Sequence, residues 1–274
     1  MRKTILIFLI ILCGCNLYAQ PQTLSTKPLV IGEIRTIKSE VLNEDRILNI
    51  YLPGNYDTAK AYPVIYLLDG TINEDFLHIV GLVQFFNLQF QMPDIIIVGI
   101  ANVDRKRDFT FHTDLEDLQK DFPTTGHSDV FIKFIEEELQ PFISNTYKTD
   151  GIKYIIGQSL AGLLASEILL KKPDLFTHYI IVSPSLWWDN ESMLENANAL
   201  LENQSENKLY VYIAVGTGEE KIMIRDASGL KKALEKSGNK NLTIEYNLMA
   251  NENHATILHN AIYDALLNLY PYKE

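Results

Sequence analysis

Hydrophobic and polar positions follow two different periods along this chain, and the places where the period switches lay out its elements. Between residues 29 and 53 two β-rich runs, VIGEIRTIKSEVL and RILNIYLP, flank the turn-forming cluster Asn43-Glu44-Asp45 and predict an antiparallel hairpin. Short unbroken apolar runs follow at 62–70 (YPVIYLLDG), 94–101 (DIIIVGIA), 154–156 (YII), 178–184 (HYIIVSP) and 208–215 (KLYVYIAV). Runs without polar alternation belong to strands buried on both faces, as in a parallel sheet covered by helices. Residues 242–249 (LTIEYNLM) read as a last strand. Segments with helical spacing lie between them, at 73–91, 128–147, 160–170, 226–237 and 255–269, and Pro141 is expected to bend or divide the second of these. An antiparallel start followed by alternating strand and helix predicts an α/β fold with a mainly parallel central sheet and helices on both faces.

Composition narrows the class. The 274 residues, 47% hydrophobic and 22% charged, suit one globular domain with a large core. Part of the apolar content sits in residues 1–19, where Arg2-Lys3 precede ILIFLIILCGC and then small residues. This is the pattern of a secretory leader and too short for a spanning helix, so the expectation is a signal peptide over 1–19 and a single domain over 20–274. Cleavage after Ala19 would give a soluble exported protein, periplasmic or extracellular; the alternative is a lipid anchor on Cys15. Both cysteines, Cys13 and Cys15, fall in this leader, which removes disulfides and thiolate metal sites from the soluble mature form. The net charge is −11 and the basic residues concentrate only at Arg105-Lys106-Arg107, so nucleic acid is excluded as a partner. No metal or other cofactor is implied.

The candidate chemistry begins at Ser159. Lys153-Tyr-Ile-Ile-Gly-Gln-Ser-Leu-Ala-Gly162 reads as a buried strand, a sharp turn and an immediate helix, with Gly157 and Gly162 leaving room for a strained serine. Such a turn is a nucleophile elbow; the alternative is a serine that caps an ordinary helix. A serine nucleophile needs a histidine base and a carboxylate to orient it. In an elbow fold these come in the order serine, acid, histidine, each after a strand. His254 follows the strand ending near Met249 and satisfies that order. His112 in the polar loop 102–125 could also reach the site, whereas His78, His127, His178 and His259 fall within or at the wrong ends of elements. Four carboxylates compete for the acid: Glu219, the choice here, Glu220, Asp226 and Glu252, and a serine–histidine pair without an acid is also open. The N–H groups of Leu160 and of Thr71, after Asp69-Gly70, are the expected oxyanion donors. Arg105 and Arg107, with Lys106 between them, would favour an acidic substrate. Of Trp187 and Trp188, at least one should close the core and the other line a substrate pocket; Trp188 is assigned to the pocket.

Taken together these residues resemble the putative-esterase branch of the α/β hydrolases, which includes siderophore trilactone esterases, S-formylglutathione hydrolases and mycolyl transferases. Carrying the resemblance are Ser39-Glu-Val-Leu with Arg46 and Tyr51-Leu-Pro, Val64-Ile-Tyr-Leu-Leu-Asp-Gly70, Arg107-Asp-Phe-Thr110, the elbow, Ser183-Pro-Ser-Leu-Trp-Trp-Asp-Asn190 and Glu252-Asn-His254. The chain departs from the branch at Gln158, where most relatives carry histidine, and at Ala161, where they carry glycine. The resemblance implies an α/β-hydrolase fold, Ser159 as nucleophile, His254 as base, and Thr71 and Leu160 as oxyanion donors. The reading is a secreted serine esterase acting on a small-molecule carboxylic ester, with siderophore-type or other acidic esters as the candidate class. An acyltransferase using the same acyl-enzyme, or a non-catalytic binding protein on the same fold, are the alternatives.

Overall fold

The unbroken apolar runs form strands shielded from water on both faces, and every residue of Tyr62–Leu67 and of Ile96–Ile100 is buried. The structure is a computed structural model that describes residues 23–202 and 205–272. The expected leader over 1–19, its cleavage after Ala19 and Cys15 lie outside the described residues. Residues 23–31 carry no regular secondary structure, and Gly32–Glu274 form one compact unit.

In chain order the elements are β1 (Glu33–Ser39), β2 (Glu44–Tyr51), β3 (Tyr62–Leu67), α1 (Phe76–Phe90), β4 (Ile96–Ile100), α2 (Arg105–Phe109), α3 (Glu116–Asp121), α4 (Ser128–Phe134), a π turn (Ile135–Leu139), α5 (Gln140–Thr146), β5 (Thr149–Gln158), α6 (Leu160–Lys171), β6 (His178–Val182), α7 (Ser192–Glu195), α8 (Ala197–Leu200), β7 (Leu209–Gly216), α9 (Lys221–Lys236), β8 (Leu242–Met249) and α10 (Ile257–Leu269). The strands form one eight-stranded sheet in the order β1-β2-β4-β3-β5-β6-β7-β8. β2 runs antiparallel to both β1 and β4, and the remaining neighbours are parallel. This is the expected α/β-hydrolase arrangement with its antiparallel N-terminal hairpin.

Alternate residues of each central strand serve opposite cores. Val64, Tyr66, Ile155, Ile181 and Ile213 pack with residues of α4, α6 and α9. Ile65, Leu67, Ile156, Ile180 and Tyr212 pack with residues of α1 and α10. Each fully buried aliphatic or aromatic side chain of this kind stabilises by roughly 1.5–3 kcal/mol, which is why both faces are covered. Edge strand β8 has half-buried and exposed positions instead. Among the described residues no helix is long and apolar enough to cross a membrane.

Pro141 was expected to bend or divide the helix over 128–147, and the irregularity falls just ahead of it. Proline lacks an N–H, and its ring crowds the carbonyl four residues back, so the preceding turn widens to π geometry over Ile135–Leu139. That turn carries Glu138, whose carboxylate accepts from Ser39 Oγ at 2.5 Å and from the N–H groups of Glu40 and Val41 at 2.9 and 3.0 Å. The loop over 102–125 contains the short helices α2 and α3.

Candidate active site

Ser159 stands between β5 and α6 at φ 63° and ψ −121°, outside the ordinary regions for a residue with a side chain. Such a conformation costs on the order of 1–3 kcal/mol and persists only where neighbours impose it. Here the Ser159 N–H donates to Val182 O at 3.1 Å, while its carbonyl accepts from Leu163 N at 2.9 Å and Ser185 N at 3.0 Å. Gly157 makes the turn possible, because a Cβ there would stand 2.5 Å from Ala161 O. The fully buried Ala161 presses directly on Gly157, so the small residue that replaces the usual glycine still permits the close helix-to-strand approach.

A cleft of about 550 Å³ opens over the elbow, and Ser159, Ser185, Trp187, Glu219, Glu220 and His254 are among the residues that line it. Ser159 Oγ lies 3.4 Å from Ser185 Oγ. His254 Nδ1 meets Glu219 Oε2 at 2.8 Å; a carboxylate can only accept, so Nδ1 carries the proton and Nε2 is left as the basic atom. The other Glu219 oxygen accepts from Ser183 Oγ at 2.5 Å and Gly216 N at 2.8 Å. Burial pushes the Glu219 carboxyl up, but hydrogen bonds from His254, Ser183 and Gly216 outweigh it and hold the group below the usual glutamate value. The Glu219 and His254 loops are tied together by Gly218 N donating to Glu252 O at 2.8 Å.

The other carboxylates are engaged elsewhere or face solvent. Glu252 accepts from Thr256 Oγ1 at 2.6 Å and Asn260 Nδ2 at 2.5 Å at the start of α10. Asp226 is buried on α9 and paired with Arg225 at 2.8 Å, and Glu220 is exposed at the start of α9. His112 is exposed and meets Asp114 at 3.0 Å. Leu160 opens α6 directly behind Ser159. Thr71 follows the turn after β3, the strand next to β5, and its N–H lies 3.4 Å from Glu74 Oε2.

One expectation for substrate contact changes. Trp188 is fully buried and donates its indole N–H to Phe111 O at 2.9 Å, so it is the tryptophan that closes the core, and half-buried Trp187 faces the cleft. The basic run is committed to the protein itself. Arg105 binds both oxygens of Asp69 at 2.7 and 2.8 Å, and Arg107 binds Glu44 at 2.6 and 3.0 Å and Asp108 at 2.7 Å. Lys106 donates to Asp121 O at 3.1 Å and lies 4.5 Å over the Phe122 ring. Both guanidinium groups are thus paired with carboxylates of the protein itself.

Ser183 and Gln158 were missed as members of this site. Ser183 directly follows β6, the strand between β5 and β7, after which Ser159 and Glu219 stand, and this brings its hydroxyl to the Glu219 carboxylate. The signal available was a hydroxyl residue directly after a buried strand on the same sheet edge. Gln158 donates to His254 O at 2.5 Å and so ties the elbow to the histidine loop.

A family model described as Putative esterase matches residues 39–260. Ferri-bacillibactin esterase BesA of Bacillus subtilis is 30% identical over 253 residues, covering 82% of this chain and 85% of that protein. Among solved structures, an IroE-like serine hydrolase from Shewanella oneidensis superposes with a TM-score of 0.80 at 30% identity, over 87% of this chain and 80% of that one. The BES protein from Bacillus cereus gives 0.79 at 28% identity, over 90% and 98%. With an α/β-hydrolase sheet and a family match over most of its length, the chain belongs to the Putative esterase family and is an esterase.

Proposed function

We propose that the protein is an exported serine esterase in which Ser159 is the nucleophile, His254 the general base and Glu219 the orienting acid. Ser159 Oγ attacks the ester carbonyl while His254 Nε2 takes its proton, and Glu219 stabilises the imidazolium that forms. The oxyanion is held by the N–H groups of Leu160 and Thr71. Collapse expels the alcohol, which takes the proton back from His254, and water then hydrolyses the acyl-enzyme by the same exchange. The observation that carries this reading is the 2.8 Å contact between Glu219 and His254 at the edge of the cleft that Ser159 lines.

The substrate class is siderophore-type esters. That part of the reading rests on the ferri-bacillibactin esterase, which is 30% identical, and export rests on the leader pattern of residues 1–19. A fluorophosphonate probe should label Ser159, as read by mass spectrometry. Ser159→Ala should lower ester hydrolysis by roughly 10⁴-fold or more, because nucleophile and base act as a unit. Residual hydrolysis within about tenfold of the wild type would overturn the assignment.

A further inference from the structure

An oxyanion hole works only if its donors are fixed before the reaction, and misplacement of about 1 Å can cost on the order of 10²-fold. Its two halves here come from different loops, the turn Asp69-Gly70-Thr71 after β3 and the elbow after β5, so something must hold the two in register. Asp69 sits at φ 52°. Its Oδ1 accepts from Arg105 Nε at 2.7 Å and Asn102 Nδ2 at 2.6 Å, and its Oδ2 accepts from Arg105 Nη2 at 2.8 Å. The same Nη2 donates to Gln158 O at 3.3 Å, one residue before Ser159. From there the Gln158 side chain continues to His254 O at 2.5 Å. Gly70 is pinned as well: its N–H donates to Ile100 O at 3.0 Å and its carbonyl accepts from the buried Asn49 at 2.8 Å. A Cβ on Gly70 would stand 2.4 Å from Gly99 Cα, so the turn lies hard against the end of β4.

We propose that Arg105 is a positioning residue that braces the oxyanion turn against the nucleophile elbow, and that Gln158 extends the brace to the histidine loop. The proposal rests on the roles given above to Ser159, His254, Leu160 and Thr71. A guanidinium suits the task because its planar fork reaches both carboxylate oxygens and still has a donor for a carbonyl; an ammonium is a point charge without that geometry. Gln158 holds the histidine loop through a side-chain donor, at a position where histidine is usual in the branch this chain resembles.

The test compares wild type, Arg105→Gln, Arg105→Lys and Asp69→Asn on p-nitrophenyl butyrate, with inhibition by a trifluoromethyl ketone that forms a tetrahedral adduct on serine. Melting temperatures are recorded so that every rate is taken on folded protein. Arg105→Gln is expected to lower kcat by about tenfold with KM within about twofold, and to weaken ketone inhibition by about the same factor as kcat. Arg105→Lys should recover only part of the loss. The double variant with Asp69→Asn should be no worse than the poorer single variant, since the two act through one contact. If Arg105→Gln does not fold, Asp69→Asn, which keeps the shape and removes the charge, carries the same expectations. A rise in KM with kcat unchanged would make Arg105 a substrate-binding residue, and unchanged kcat and ketone affinity would make it merely structural; either overturns the brace. A wild type that neither hydrolyses the ester nor binds the ketone would defeat the esterase roles themselves, an outcome distinct from an active wild type matched by its Arg105 variants.

Discussion

Glu219 shows how much of a site is decided by single hydrogen bonds. Its side chain is 1% exposed, yet its carboxyl is held below the ordinary range because three donors outweigh burial. A depressed carboxyl contributes stability at pH values above its unfolded pKa and loses it as pH falls through the folded value. Ser183→Ala removes one donor, so the carboxyl should protonate at higher pH than before. Stability in urea should therefore begin to fall at a higher pH in the variant than in the wild type, and an unchanged profile would show that Ser183 does not tune the Glu219 carboxyl. On the proposed mechanism, Glu219→Gln should lower kcat by about 10⁴-fold, because the wrong histidine tautomer is then favoured. The sequence reading chose Glu219 among four carboxylates, but spacing alone does not separate it from Glu220 beside it. Neighbouring residues in a loop face different ways, and Glu219 meets His254 while Glu220 faces solvent. Ser183, which helps decide the matter, is 36 residues away in sequence and becomes a neighbour only once β6 lies beside β7.

At the scale of elements, the strands were legible because burial on both faces leaves no polar position to confuse the pattern. Helices α2 and α3 were not, being too short to show a period, and adjacent tryptophans give no pattern at all from which to assign Trp187 and Trp188. The partners of the basic run were not legible for a related reason: the run is visible in sequence, but Glu44, Asp69 and Asp108, which engage its arginines, are spread over the chain. Histidine placement offers a test of the sheet itself. His178 begins β6, stacked on Tyr154 of β5 at 4.2 Å and facing Tyr210 of β7 at 5.7 Å, with Thr177 Oγ1 2.8 Å from its Nδ1. Burial pushes it down to about 4 from an ordinary value of 6.5. Between those values the unfolded chain binds a proton that the folded chain refuses, so this histidine lowers stability as pH falls from about 6.5 toward about 4. The full effect is on the order of 3 kcal/mol. Urea unfolding of wild type and His178→Phe at about pH 7 and about pH 4.5 should show the variant losing less on acidification. Equal losses would mean that His178 is charged in the folded state.

At the scale of the whole molecule, net charge biases how fast a charged ester approaches. The protein carries a net −11, and its three clustered basic side chains are engaged internally by Asp69, Glu44, Asp108 and the Asp121 carbonyl. A second cleft of about 620 Å³ shares Trp187 and Glu220 with the one over Ser159, and Glu116 and Asp117 also line it. An acidic ester therefore meets repulsion on approach, whereas a neutral one meets none, and the repulsion is long-ranged only when salt is low. Raising ionic strength from about 0.01 M to about 0.15 M shortens the screening length from roughly 30 Å to roughly 8 Å. Over that interval kcat/KM for an anionic ester should rise, by roughly threefold, while that for p-nitrophenyl butyrate stays level. Glu116→Gln with Asp117→Asn should flatten the salt dependence of the anionic ester without changing the neutral one. A fall in the anionic rate with salt would mean instead that the site attracts acidic substrates, and that Arg105 and Arg107 leave their carboxylates to do so.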